Sequence, residues 1–165
     1  MKLTSAAKKR TLPNCSKFRF AIIFSEFNDI IGNKLLENTV QTLNNLGATA
    51  SNIDVIRVPG SLEIPMAAKY VSLQKKHDAI IALGIVIKGD TPHFDLVINE
   101  SHRGLMDLNL SQNIPVIFGI LTAYTPEQAK IRAEQKGLNK GKEFAEAAVI
   151  MADLRKKLAK KKIAR

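Results

Sequence analysis

Residues 79–95 read AIIALGIVIKGDTPHFD, and this stretch decides the fold. Its first nine residues are almost continuously apolar and rich in Ile. A strand covered on both faces has that composition, because neither row of side chains meets water. Gly89 and Asp90 interrupt the run. Thr91 and Pro92 then read as a helix start, with Thr91 at the N-cap and proline in the first helical position. A buried strand leading directly into a helix is half of a β-α-β unit.

Outward from this stretch lie three further apolar runs, residues 18–24 (FRFAIIF), 53–58 (IDVIRV) and 114–121 (IPVIFGIL). Helical patterns fill the gaps. Residues 30–46 space Ile31, Leu35, Leu36, Val40 and Leu43 along one face, and Gly47 supplies a stop. Residues 62–73 form a shorter helix with Pro65 tolerated in its first turn. Residues 92–110, 126–136 and 141–160 complete the set, the last two split by a turn at 137–141. The order β-α-β-α-β-α-β-α-α predicts an α/β three-layer sandwich around a four-stranded parallel sheet. Right-handed crossovers make 2-1-3-4 the natural strand order. Such a sheet has a switch point between its first and third strands, where ligands bind outside the strand C-termini.

Composition narrows the function. The chain has 165 residues, enough for one domain with a sizeable core. No apolar run reaches the roughly 18 residues of a spanning helix, so no membrane association is expected. Residues 1–17 carry charge without an apolar core and do not read as a secretory signal. Cys15 is the single cysteine. It lies in a polar segment without a neighbouring histidine, which fits a reducing cytoplasm and not a catalytic thiol. The net charge of +10 first suggests nucleic acid. Its distribution argues otherwise: residues 20–154 hold 12 basic against 15 acidic side chains, so the excess sits in the two ends. We expect a basic arm over 1–17, one domain over 18–155 and a basic tail over 156–165, with no specific nucleic-acid partner.

Unusual residues stand at the expected strand ends. After the first strand, Phe27 either packs on its own helix or stacks on a flat heterocycle. After the second, Val58-Pro59-Gly60-Ser61-Leu62-Glu63-Ile64-Pro65 combines a tight turn with an acid in the first helical turn. Glu63 there either complements the helix dipole or accepts hydrogen bonds from ligand hydroxyls. After the third, Gly89, Asp90 and Thr91 with the helix start make a phosphate cradle, without the spacing of a nucleotide P-loop. His93 sits near the positive helix end, which disfavours imidazolium and leaves a proton acceptor. It reads equally as a polar helix-end residue. His77 and His102 read as surface residues. Arg132 and Lys140 fall on the last two helices and suit anion binding, though 25 basic residues make either alone weak. No Cys/His cluster or carboxylate motif suggests a metal.

Together these segments resemble lumazine synthase. The matching stretches are Phe27-Asn28-Asp29, residues 58–65, residues 84–95, Pro115-Val116-Ile117-Phe118-Gly119-Ile120 and Lys136-Gly137-Leu138-Asn139-Lys140-Gly141, in order between about residues 18 and 155. The resemblance implies a flavodoxin-like fold assembled into homopentamers, in some members twelve pentamers closing an icosahedral shell. It implies condensation of 5-amino-6-ribitylamino-uracil with 3,4-dihydroxy-2-butanone 4-phosphate, without metal or organic cofactor. By position, Phe27 would stack on the pyrimidine, and Asn28, Ser61, Leu62 and Glu63 would hold the ribityl chain. Backbone groups of Val86 and Ile87 would meet the pyrimidine edge. Gly89, Asp90, Thr91 and Arg132 would hold phosphate, and His93 would transfer protons. Phe118, Arg132 and Lys140 would come from a neighbouring subunit. Leu62, Ile85 and Lys88 depart from the commoner aromatic, Thr and Arg. A riboflavin synthase on the same scaffold, a surface-binding protein using its tails and a phosphate sensor are the rival readings.

Overall fold

The computed structural model describes residues 11–163. Residues 1–10 of the expected arm and 164–165 of the expected tail lie outside the described residues. Four strands alternate with helices: β1 Phe20–Ser25, α1 Asp29–Asn45, β2 Ile53–Val58, α2 Ile64–Leu73, β3 Ala79–Ile87, α3 His93–Ser111, β4 Val116–Ala123, α4 Pro126–Ala133 and α5 Lys140–Ile163. All pairings are parallel and the strand order is β2-β1-β3-β4, the expected 2-1-3-4.

Alternation along β1 divides the core. Phe20, Ile22 and Phe24 pack on one face with α1, α4 and α5, while Ala21 and Ile23 pack on the other with α2 and α3. β3 is buried from Ala79 through Val86, which explains its unbroken apolar run. Fully burying each large aliphatic side chain contributes roughly 1.5–3 kcal/mol, so this strand anchors both layers.

Element ends shift for identifiable reasons. β1 begins at Phe20, not Phe18, because the Arg19 N–H is taken by Asp78 Oδ2 at 2.9 Å. Phe18 is nonetheless buried. β4 begins after Pro115, which has no N–H to donate, and runs to Ala123 because Thr122 and Ala123 pair with Val86 and Ile87. α1 stops as expected at Gly47, whose φ of 108° an L side chain resists. α4 ends at Ala133, three residues early. α5 begins at Lys140 and continues through 156–163, so residue 155 marks no break in the helix.

Three polar residues differ from expectation. Cys15 is fully buried in the α1/α5 layer, its Sγ 3.4 Å from the Leu43 carbonyl, and burial pushes its thiol pKa up. His77 is buried, with Nε2 2.7 Å from Asp54 Oδ2. His102 is half-buried and bonds the Ile98 carbonyl through Nδ1 at 2.8 Å. Short polar stretches in the sequence hid all three, because tertiary packing and not local composition buried them.

Candidate active site

The β1–α1, β2–α2 and β3–α3 loops meet at the carboxyl rim of the sheet. They enclose a cleft of about 410 Å³. This is the predicted switch point, between β1 and β3. A cleft of that size suits a small heterocyclic ligand.

Each wall has a local cause. Phe27 follows the end of β1 and stands 70% exposed, so it does not pack on its own helix. Asn28 caps α1 in the left-handed region at φ 62° and ψ 39°, a conformation Asn tolerates better than most residues. Its Nδ2 donates to the Ile85 carbonyl at 3.0 Å. The Pro59-Gly60 turn brings Ser61, Leu62 and Glu63 to the opposite wall. Glu63 is the N-cap of α2, one position earlier than a first-turn residue, and makes no side-chain cap bond. Its carboxylate is therefore not spent on the helix.

The floor is the end of β3, with Val86 and Ile87. Gly89, Thr91 and His93 form the third wall. A Cβ on Gly89 would meet nothing within 4 Å, so its backbone faces open space. Pro92, not Thr91, is the N-cap of α3, and His93 is the first helical residue. Thr91 still serves the helix start, its Oγ1 accepting from the His93 N–H at 3.4 Å. The positive end of a 19-residue helix thus adjoins the cleft beside an exposed imidazole. Asp90 is exposed in the same loop but does not line the cleft.

Two lining residues had not been singled out. Phe94 follows His93, and Val97 lies one turn beyond His93 on α3. The i, i+4 spacing of His93 and Val97 was the available signal. Phe118, Arg132 and Lys140 do not line the cleft. Phe118 is on β4, 5.9 Å from the His102 ring. Arg132 Nη1 donates to the Gln128 carbonyl at 3.0 Å, and Lys140 pairs with Glu143 at 2.6 Å. Among the described residues, no Lys or Arg side chain lines the cleft of one chain.

The family model for 6,7-dimethyl-8-ribityllumazine synthase matches residues 17–156, which includes every wall of this cleft. The chain belongs to the 6,7-dimethyl-8-ribityllumazine synthase family. It is similar to the 6,7-dimethyl-8-ribityllumazine synthase of Desulfotalea psychrophila, 49% identical over 136 residues, 82% of this chain and 88% of the relative. It is also similar to those of Protochlamydia amoebophila, 44% identical over 146 residues (88% of this chain, 85% of the relative), and Chlorobaculum tepidum, 43% over 145 residues (88% and 94%). In this lumazine synthase family member the three rim loops and all four strands fall within the matched span. Among the described residues, no helix is long and apolar enough to cross a membrane.

Proposed function

We propose that this chain condenses 5-amino-6-ribitylamino-uracil with 3,4-dihydroxy-2-butanone 4-phosphate to 6,7-dimethyl-8-ribityllumazine, releasing phosphate and water. The observation that carries this reading is one cleft that joins an exposed Phe27 ring, a helix N-terminus behind Gly89 and Thr91, and the His93 imidazole. Those parts suit a planar ring, an anion and a proton transfer respectively.

Phe27 stacks on the pyrimidine. Asn28 and the Ser61-Leu62-Glu63 wall border its ribityl chain, with the uncommitted Glu63 carboxylate accepting from hydroxyl groups. Gly89 and Thr91 border the phosphate, with Asp90 in the same loop outside the cleft. The pyrimidine amine attacks the ketone and water leaves to give an imine. Loss of the C3 proton then expels phosphate from C4, the enol left behind tautomerises to a ketone at C3, and the second amine closes the ring on that new carbonyl with loss of a further water. Holding the two reactants together supplies much of the rate, because the encounter becomes effectively unimolecular. His93 moves protons at the amine and the departing groups.

A phosphate site without its own Lys or Arg is electrostatically incomplete. A neighbouring copy completes it by supplying Phe118, Arg132 and Lys140, so the active unit is a homo-oligomer, a pentamer or a multiple of pentamers. Apolar side chains left in water support association. On α2 and the turn before it, Leu62, Met66, Tyr70 and Leu73 are all exposed at helical spacing. The partners are these small molecules and further copies of the chain, and the compartment is the cytoplasm.

The test is to mix both substrates anaerobically with the protein and follow lumazine absorbance and phosphate release. Equal amounts of both products are expected. Phosphate without lumazine, or neither product, would overturn the reading. Incubation with the lumazine alone should yield no riboflavin.

A further inference from the structure

We propose that Asn28 is a positioning residue, which sets the Phe27 platform and seals the β3 edge so that a heterocycle can pair only beyond Ile85. This rests on the reading of the cleft as a pyrimidine site. It assigns Asn28 a task other than contact with the ribityl chain.

The argument begins with strand parity. The N–H groups of Ile80 and Lys88 donate to the carbonyls of Pro115 and Ala123, on the β4 side. Main-chain groups alternate sides along a strand, so those of Val86 also face β4, while those of Ile85 and Ile87 face β1. Val86 therefore offers the cleft its side chain, and Ile87 alone of the two offers main-chain groups. The β1–β3 pairing, however, ends at Phe24 opposite Leu83. Beyond it the Ile85 carbonyl has no strand to meet.

Asn28 fills that place. Its Nδ2 donates to the Ile85 carbonyl at 3.0 Å, as the next N–H of a longer β1 would. The left-handed backbone at Asn28 makes this reach feasible, because it turns the chain sharply at the entry to α1. The same turn leaves the preceding Phe27 projecting into solvent at the cleft. One residue thus fixes two things: where the ring rests, and which β3 groups remain for its edge. With Ile85 occupied, Ile87 is the next β1-facing position.

Two variants separate the parts. Asn28→Asp keeps the size and tolerance of the left-handed region, but sets a carboxylate oxygen against a carbonyl. Asn28→Gly accepts the backbone conformation and removes the tie. Two probes separate ring from side chain: 6,7-dimethyl-8-ribityllumazine, and a dimethyllumazine lacking the ribityl group, both titrated by fluorescence. Each variant should bind both probes up to about tenfold more weakly, by the same factor, the scale set by loss of one partly buried hydrogen bond that holds the platform. In a Phe27→Ala background the loss should shrink, because both changes damage one platform. KM for the ketose phosphate should stay unchanged. A loss confined to the ribityl probe, or none at all, would overturn the assignment, as would full additivity with Phe27→Ala. If Asn28→Asp does not fold, Asn28→Gly carries the same comparison. Failure of the wild-type chain to bind either probe would instead defeat the reading of the cleft itself, and this assignment with it.

Discussion

His93 opens α3 with its imidazole exposed at the cleft, beside backbone N–H groups that carry the positive end of the helix. A group in that position assists proton transfer but does not hold the reactants together. His93→Ala should therefore lower kcat by a factor on the order of 10² while leaving measurable turnover. Complete loss with pyrimidine binding intact would mean that positioning had been given too much weight. Arg132→Ala should chiefly raise KM for the ketose phosphate, and an unchanged KM would remove Arg132 from the phosphate site. Residue placement was legible where an unusual side chain follows a strand. Phe27, Glu63, Thr91 and His93 could be placed from sequence because strand ends are marked by a change from apolar to polar. The burial of Cys15 and His77 was not legible, since their partners Leu43 and Asp54 lie 28 and 23 positions away.

At the scale of elements, close approach decides where side chains can exist. Gly119 lies in β4, and a Cβ there would stand 2.5 Å from Leu83 Cδ2 and 2.7 Å from the Ala82 carbonyl oxygen. The backbone atom cannot yield without disturbing β3. Gly119→Ala should cost roughly 1–3 kcal/mol of stability, read from denaturant unfolding, and an unchanged midpoint would contradict this packing. At the amino ends of the strands, Asp54 of β2 ties to His77 just before β3 and to Arg19 just before β1. The His77 hydrogen bond, followed by the charges of His77 and Arg19, holds the Asp54 carboxyl below its ordinary value of 3.8, against the opposing effect of burial. A carboxylate with a depressed folded-state pKa stabilises above its unfolded value and loses that contribution as acid protonates it. Asp54→Asn should accordingly lower Tm at neutral pH, and the gap to wild type should narrow below the ordinary carboxylate value. A gap that is constant or widens in acid would contradict the assigned cause. Strand order followed from the alternation of elements. The starts of β1 and β4 did not, because the Arg19 N–H bond to Asp78 and the missing N–H of Pro115 set them, and no periodicity records either.

At the scale of the whole molecule, the cleft lies at the carboxyl rim of the sheet, α2 and α3 pack on one face, and Arg132 and Lys140 lie on α4 and α5 against the other. The proposed sharing of the site between copies has a sharp test. Phe27→Ala and Arg132→Ala chains, each impaired alone, should regain activity when co-assembled, since some interfaces then combine two intact halves. No recovery in verified mixed oligomers would count against shared sites. The charge pattern was legible in the sequence, but its consequence was not. Lys156, within the expected tail, reaches Asp78 at 3.0 Å and lies 4.4 Å from the Phe18 ring centroid, so α5 is secured to the body there. The central claim is that the β1/β3 rim holds the ring and the anion side by side. A crystal structure with 6,7-dimethyl-8-ribityllumazine and inorganic phosphate tests it most directly. The ring should lie on Phe27 with its edge at Ile87, and phosphate should lie at Gly89–Thr91 within reach of His93. Both ligands bound elsewhere, with this cleft unfilled, would contradict the account.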